Sequence, residues 1–316
     1  MISVVIPTNR ATDSLVAAIK STYVATQNLT VEILIVINNT HENIEGNISM
    51  QLSDYEREVC TFLQSGSGSL SDALNFGVKA SRYELVARMD HDDEMFPERL
   101  NLQFNEFTKR PELVLLGGSA LMVDRTGREL GKVMFPLQDD QLKFLLNFGN
   151  CFAHPTVMFR KSAHSLVGGY GNNFPFAEDY DFFARLSSIG QVANLPNLLV
   201  KYQIDPSQTS SIHFKQQISS ANALVTLLGI RDLGLKEVNS KGLGILDTDL
   251  LVSSNLFRFF PLKEMVGRFK VQGRLLFSIA RRNYRNRFWV SALYLALAFL
   301  LNFKESLKAS KMLTSK

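Results

Sequence analysis

Cysteine is nearly absent from this chain of 316 residues. The two present, Cys60 and Cys151, lie far apart and form no CxxC pair, which excludes a disulfide scaffold and a zinc-ribbon module. Glycine (19) and proline (9) are too sparse for a collagen-like or linker-dominated chain. The opening MISVVIPTNR lacks a basic region followed by an apolar stretch, so no cleavable secretory signal is expected and the cytoplasm is the default compartment. No internal repeat or low-complexity segment is visible. What is present is the mix of an ordinary folded protein, 46% apolar and 20% charged, long enough for about two domains of ~150 residues.

Charge is unevenly placed. Residues 1–214 carry 17 Lys and Arg against 24 Asp and Glu, whereas residues 215–316 carry 17 against 6. Such asymmetry implies two jobs, with the basic part seeking a polyanionic surface.

The first half reads as strands alternating with helices. Ser3–Pro7, Val31–Ile37, Glu58–Leu63, Glu84–Met89 and Leu113–Leu116 read as strands, the last stopped by Gly117-Gly118. Between them, Ala11–Tyr23, Leu70–Ala80 and a segment from Pro97 to Lys109 have helical spacing. This alternation predicts an α/β fold built on a doubly wound, mostly parallel sheet, whose ligands sit at the carboxyl ends of the strands. Further on, a hairpin is expected around Asp124–Gly127, from Ala120–Asp124 and Lys132–Phe135. A strand is expected at Thr156–Arg160, a helix at Tyr180–Ile189 and a short last strand at Leu198–Tyr202.

Two acidic elements carry chemistry. Arg88-Met89-Asp90-His91-Asp92-Asp93 places three carboxylates at a strand end, where like charges repel unless a cation is present. Carboxylates at i and i+2 can converge on one hard divalent ion and leave positions for phosphate oxygens. Downstream, Ala177-Glu178-Asp179-Tyr180-Asp181 lies at a helix start, where one acid suffices for the dipole and a second can act as a general base on a hydroxyl. His154-Pro155-Thr156 and Gly168-Gly169-Tyr170 lie upstream as parts of a binding surface, with a structural role equally open for His154. Gly66-Ser67-Gly68-Ser69 lacks the lysine of a P-loop and reads as a flexible loop, while His41, His164 and His213 read as surface residues without partners.

VVIPTNR at 4–10, the block ARMDHDD…PERL ending at residue 100, and HPTVMFR…VGGY…AEDYD from residue 154 resemble the family 2 glycosyltransferases of the GT-A fold, in particular bacterial polysaccharide enzymes. The resemblance runs over roughly residues 2–205. It implies inverting transfer from a nucleotide-activated sugar, with Asp92 a direct ligand of Mn²⁺ or Mg²⁺, Asp90 holding ribose or the hydrated metal, and Asp179 the general base. Pro7, Thr8 and Asn9 would run along the nucleotide and Asp72 would lie near its base. Two departures stand out. Relatives usually carry acids after the second strand, where this chain has Asn38-Asn39, and Asn39 would then contact base or ribose. Relatives often place a histidine near the metal after the last strand, where this chain offers Asp205 as a substitute oxygen ligand.

These roles agree with elementary chemistry. A diphosphate leaves with added negative charge that a divalent ion stabilises, and a sugar hydroxyl needs a base as its bond forms. Direct displacement requires no paired acid and nucleophile of the glycosidase kind. A nucleotidyltransferase would want a basic phosphate-gripping loop near residue 10, where only Arg10 stands, and a non-catalytic sugar-nucleotide-binding or scaffold protein would have no reason to hold metal and base residues together. The resemblance therefore implies a hexosyltransferase. It would use a UDP-sugar, glucose or galactose favoured, and form a β linkage to a diphosphoundecaprenol-linked sugar acceptor of O-antigen or capsule assembly.

Residues 1–210 are assigned to the nucleotide-sugar domain and 211–316 to a helical C-terminal region. In the latter, residues 263–287 hold eight Lys and Arg against Glu264, and Phe288–Phe303 follows with 16 uncharged residues, about 24 Å of helix against a ~30 Å bilayer core. An interfacial anchor on the anionic inner-membrane surface, a helix packed on the domain and a short span are the readings this pattern allows. Nucleic acid is disfavoured because aromatics are not interleaved with the basic residues.

Overall fold

β1 (Ile2–Thr8) is buried at every position, and β2 (Val31–Ile37) at all but its first. Strands without a polar face must be covered on both sides, which places them at the centre of a two-sided sheet. The computed structural model describes residues 1–205 and 212–232, apart from residues 28, 41, 67 and 148. Within this range the remaining strands are β3 (Cys60–Gln64), β4 (Leu85–Arg88), β5 (Glu94–Met95), β6 (Leu113–Val123), β7 (Glu129–Val133), β8 (Met158–Arg160) and β9 (Gln191–Gln203). They form one sheet in the order β3-β2-β1-β4-β8-β6-β9-β5, with β7 added to β6. The run β3-β2-β1-β4 is parallel, as is β6 with β9, while β8 runs antiparallel to both its neighbours. The expected α/β class and mostly parallel sheet are thus present.

Helices α1 (Asp13–Val24), α2 (Ile44–Ser49), α3 (Asp54–Val59), α4 (Leu70–Ala80), α5 (Arg99–Lys109), α6 (Asp139–Leu145), α7 (Lys161–Leu166), α8 (Glu178–Ser187) and α9 (Phe214–Asp232) complete the described chain. α1 starts where the Thr12 side chain accepts from Leu15 N at 3.2 Å, and α4 where Ser69 accepts from Asp72 N at 3.0 Å. Leu15 and Ile19 of α1 join Ile33, Ile35 and Ile37 in the central core, each contributing about 1.5–3 kcal/mol by burial.

Several expectations change. Gly117-Gly118 does not stop a strand: β6 continues through both to Val123, and a side chain at either would collide with residues beside it. β9 is far longer than Leu198–Tyr202, because β6 pairs with it from Gln191 onward. Pro97 lies in a turn two residues before α5 rather than in its first turn, and Thr156 belongs to a 3-10 turn (His154–Thr156) before β8. The hairpin near Asp124 is present, with β7 shifted to Glu129–Val133.

The chain divides into two compact units, Met1–Ala221 and Asn222–Lys316. Among the described residues no helix is long and apolar enough to cross a membrane. The basic and apolar tail at 263–303 lies outside the described residues, as do His41 and Ser67.

Candidate active site

β4 ends against β1, where Met89 N donates to Val5 O at 3.1 Å, and the chain then turns sharply into β5. That turn, Asp90–Asp93, projects carboxylates from the carboxyl end of the sheet. One ligand oxygen from each of Asp90, Asp92 and Asp93 lies within 4.8 Å of the others. Asp90 is gripped by Arg88: Nη1 donates to Oδ2 and Nη2 to Oδ1. Asp93 is 1% exposed; its Oδ1 accepts from Gln203 N at 2.9 Å, and its Oδ2 is buried without a hydrogen-bond partner among the described residues. Burial raises the Asp93 carboxyl well above its usual range, and the charges of Asp90 and Asp92 add to that. An orphaned buried carboxylate oxygen beside two further carboxylates fits a hard divalent cation.

Asp179 lies at the start of α8, following Ala177, which supplies no side-chain cap. Its Oδ2 accepts from Asn150 Nδ2 at 2.8 Å and its Oδ1 from Tyr180 N at 2.7 Å. Asp181 instead pairs with Arg185 at 2.6 Å, one turn along the helix. Burial raises the Asp179 carboxyl and pushes Glu178 up to about 7, the neighbouring Asp179 charge being the second cause for Glu178. A carboxyl raised in this way is a stronger base when ionised.

Two clefts meet here. One of about 350 Å³ is lined by Arg88, Asp90, Asp92, His154, Asp179 and Tyr202, among others, and so brings the two acidic elements together. The other, about 630 Å³, runs over the ends of β1 and β2 past Pro7, Thr8, Asn9, Asn38 and Ser69. Asp90, Glu178 and Phe176 line both.

Not every expected residue arrives. Asn38, donating to Ser69 O at 3.2 Å, faces the larger cleft, while the exposed Asn39 takes a left-handed backbone (φ 48°). Asp72 lines neither cleft: Ser69 Oγ donates to it, and Asn172 Nδ2 donates to its Oδ1 at 3.2 Å. Asp205 is buried against Arg125 and is not part of the three-carboxylate group. His164 is not a surface residue; it is buried, with Nε2 2.9 Å from Asn75 Oδ1. His213 likewise has partners, stacking on Phe176 with ring centroids 4.2 Å apart. His154 Nε2 lies 3.1 Å from the Tyr170 hydroxyl, and burial followed by the Arg88 charge holds its ring well below the ordinary histidine range.

Sequence reasoning gave no role to Arg88, Phe176 or Tyr202, and counted Asp93 only as one of three carboxylates at the strand end. Phe176 holds a positive φ of 62°, an outlier for an aromatic residue that no sequence pattern announces. Tyr202 lies three residues before the position considered for a metal ligand, and only its register against Met122 of β6 turns it to the cleft.

Comparison with known proteins gives this geometry a context. The chain is 37% identical over 133 residues to the amylovoran biosynthesis glycosyltransferase AmsE of Erwinia amylovora, covering 42% of this chain and 49% of that one. It is 34% identical over 145 residues to the O-antigen biosynthesis glycosyltransferase WbnJ of Escherichia coli, covering 45% and 56%. The chain thus spans about half the length of these curated relatives. Among solved structures it resembles S. aureus TarS in complex with UDP-GlcNAc, with a TM-score of 0.60 at 16% identity over 96% of this chain and 87% of that one. It also resembles the mannosyltransferase PcManGT of Pyrobaculum calidifontis in complex with GDP-Man and Mn²⁺, with a TM-score of 0.53 at 12% identity over 96% and 86%. At those identities the likeness establishes the GT-A fold alone. The sequence profile of Glycosyl transferase family 2 matches residues 3–167, more than half of the chain, and the protein belongs to that family.

Proposed function

We propose that this protein is an inverting, metal-dependent glycosyltransferase that moves a hexose from a UDP-sugar to a hydroxyl of a lipid-linked sugar in bacterial polysaccharide assembly. The observation that carries the reading is the shared cleft: Asp179 and Glu178 line the same 350 Å³ space as Asp90 and Asp92. Beside it, the 630 Å³ cleft over β1 and β2 has room for a nucleoside diphosphate at the strand ends, where α/β sheets bind ligands. Pro7, Thr8, Asn9 and Asn38 would contact the nucleotide.

Asp90 and Asp92 would hold the divalent ion, with Asp93 as the third oxygen donor. A bound Mn²⁺ or Mg²⁺ supplies charge neutralisation for the diphosphate leaving group. The chain's own residues do the rest. Asp179 takes the proton of the acceptor hydroxyl as its oxygen bonds to the anomeric carbon. The bond to the diphosphate oxygen breaks, its electron pair leaves with the nucleotide, and attack from the far face gives the β product from an α-linked donor. Arg10, which lines both clefts, adds positive charge near the leaving group. Glucose and galactose are the favoured sugars, and the basic segment 263–287 suits an acceptor carried on an anionic membrane surface.

The test is nucleotide release by the purified full chain, with a panel of sugar nucleotides, Mn²⁺ or Mg²⁺, and a diphosphoundecaprenol-linked sugar. Acceptor-dependent UDP release that stops in excess chelator is expected. Undiminished release in chelator would overturn the metal assignment, and release from no sugar nucleotide would overturn the transferase reading.

A further inference from the structure

Arg88 closes β4 two residues before Asp90, and it is 3% exposed. Its fork occupies both oxygens of Asp90, one guanidinium nitrogen on each. Those are the atoms a hard cation would take from the same carboxylate. Among the described residues its remaining nitrogen, Nε, is buried without a hydrogen-bond partner, so there the fork alone holds the side chain by hydrogen bonds. Arg88 also lines the cleft that Asp90 and Asp92 share with Glu178 and Asp179. One buried cation therefore serves both the carboxylates of the turn and the acidic pair of α8.

With the fork on both oxygens, a divalent ion is left the remaining lone pairs of Asp90 and is repelled by the guanidinium charge. We infer that Arg88 is a positioning residue that competes with the divalent ion for the Asp90 carboxylate, loosening the ion's hold so that the metal–nucleoside diphosphate product can leave. The inference rests on the metal-dependent reading above. Arginine suits the role because its planar fork matches a carboxylate at two points, whereas lysine offers a single point charge. A purely structural ion pair has the opposite consequence: without Arg88 the Asp90–Asp93 turn would lose its anchor, and the ion would bind more weakly.

The experiment measures Mn²⁺ binding by the paramagnetic resonance of free Mn²⁺, on the full chain with saturating UDP, for wild type, Arg88→Met and Arg88→Lys. Arg88→Met should bind Mn²⁺ about tenfold more tightly, the low end for losing a competing hydrogen bond to a charged group. Arg88→Lys, which keeps the charge and loses the fork, should fall between it and wild type and carries the test if Arg88→Met does not fold. Both variants should release UDP more slowly when Mn²⁺ is present. Unchanged or weaker Mn²⁺ binding by Arg88→Lys would overturn the competition while leaving the metal site standing. Absence of Mn²⁺ binding by the wild-type protein would overturn the metal site and this inference together.

Discussion

Replacing Gly117 by alanine perturbs the protein at one methyl group. An added Cβ would lie 2.4 Å from Asn194 Oδ1, 2.9 Å from Phe152 Cδ1 and 3.4 Å from Thr156 Oγ1. None of these neighbours is at liberty to move. Asn194 Nδ2 donates to Pro136 O and Cys151 O, both at 3.1 Å; Thr156 Oγ1 accepts from Gly118 N at 3.1 Å; and the Phe152 ring packs on Phe183 at 5.3 Å. Overpacking of this kind costs about 1–3 kcal/mol. If Asn194 turns away to relieve it, a lost bond to a buried carbonyl adds about 1 kcal/mol. For a domain of this size the sum lowers Tm by roughly 2–4 °C per kcal/mol. Gly68→Ala is the control, since among the described residues nothing lies within 4 Å of its Cβ position and such substitutions stay within about 0.5 kcal/mol. Thermal and urea denaturation of both variants decide the matter. If Gly117→Ala is as stable as Gly68→Ala, the close packing of β6 on β9 is not what requires glycine there.

Two further predictions concern protons. His164 is buried and held at about 4, by burial first and then by the charges of Arg185 and Lys161, against an ordinary value of 6.5. The unfolded chain therefore binds the extra proton between those values, so stability should be complete above pH 6.5 and fall by up to ~3 kcal/mol as pH drops to 4. Urea melts across that range should show the slope, and His164→Gln should flatten it; an unchanged slope in the variant would place the effect elsewhere. Glu178, pushed up to about 7 beside Asp179, should give kcat/KM an acidic limb that rises through about pH 7. Glu178→Gln should move that limb to lower pH, and a profile flat from pH 5 to 8 in the wild type would contradict the coupled pair.

Much of the scaffold is legible from local pattern because its elements satisfy themselves locally. The β-branched run Val31–Ile37 and the helix Leu70–Ala80 keep their expected bounds. The helices at residues 44–49, 54–59, 139–145 and 161–166 escape notice because six or seven residues do not establish a period. β9 is hidden by Asn194-Leu195-Pro196-Asn197, polar and proline-bearing, and only its partner β6 makes it continuous, through register shifts at Gly118–Ser119 and Ser119–Ala120. Of the site, Asp90 and Asp92 are readable because the carboxylates lie within four residues of sequence. Their place beside Asp179 is not, since β4 and α8 meet only in the folded cleft. Asn38 rather than Asn39 reaches the larger cleft because the residue after it turns into the left-handed region.

The central claim is that Asp179 takes the acceptor's proton while other residues hold the donor. It is tested by measuring donor affinity and acceptor-dependent turnover side by side in wild type and Asp179→Asn, with Mn²⁺ and the sugar nucleotide found to react. Asparagine keeps the size of the side chain, and its one carbonyl oxygen can still accept from Tyr180 N, while the bond from Asn150 Nδ2 to the other carboxylate oxygen is lost. Donor affinity should stay within a few-fold of wild type, and turnover should fall by about 10²–10⁴, the worth of a positioned base. Collapse of donor affinity with turnover per bound donor preserved would contradict the account and make Asp179 a binding residue.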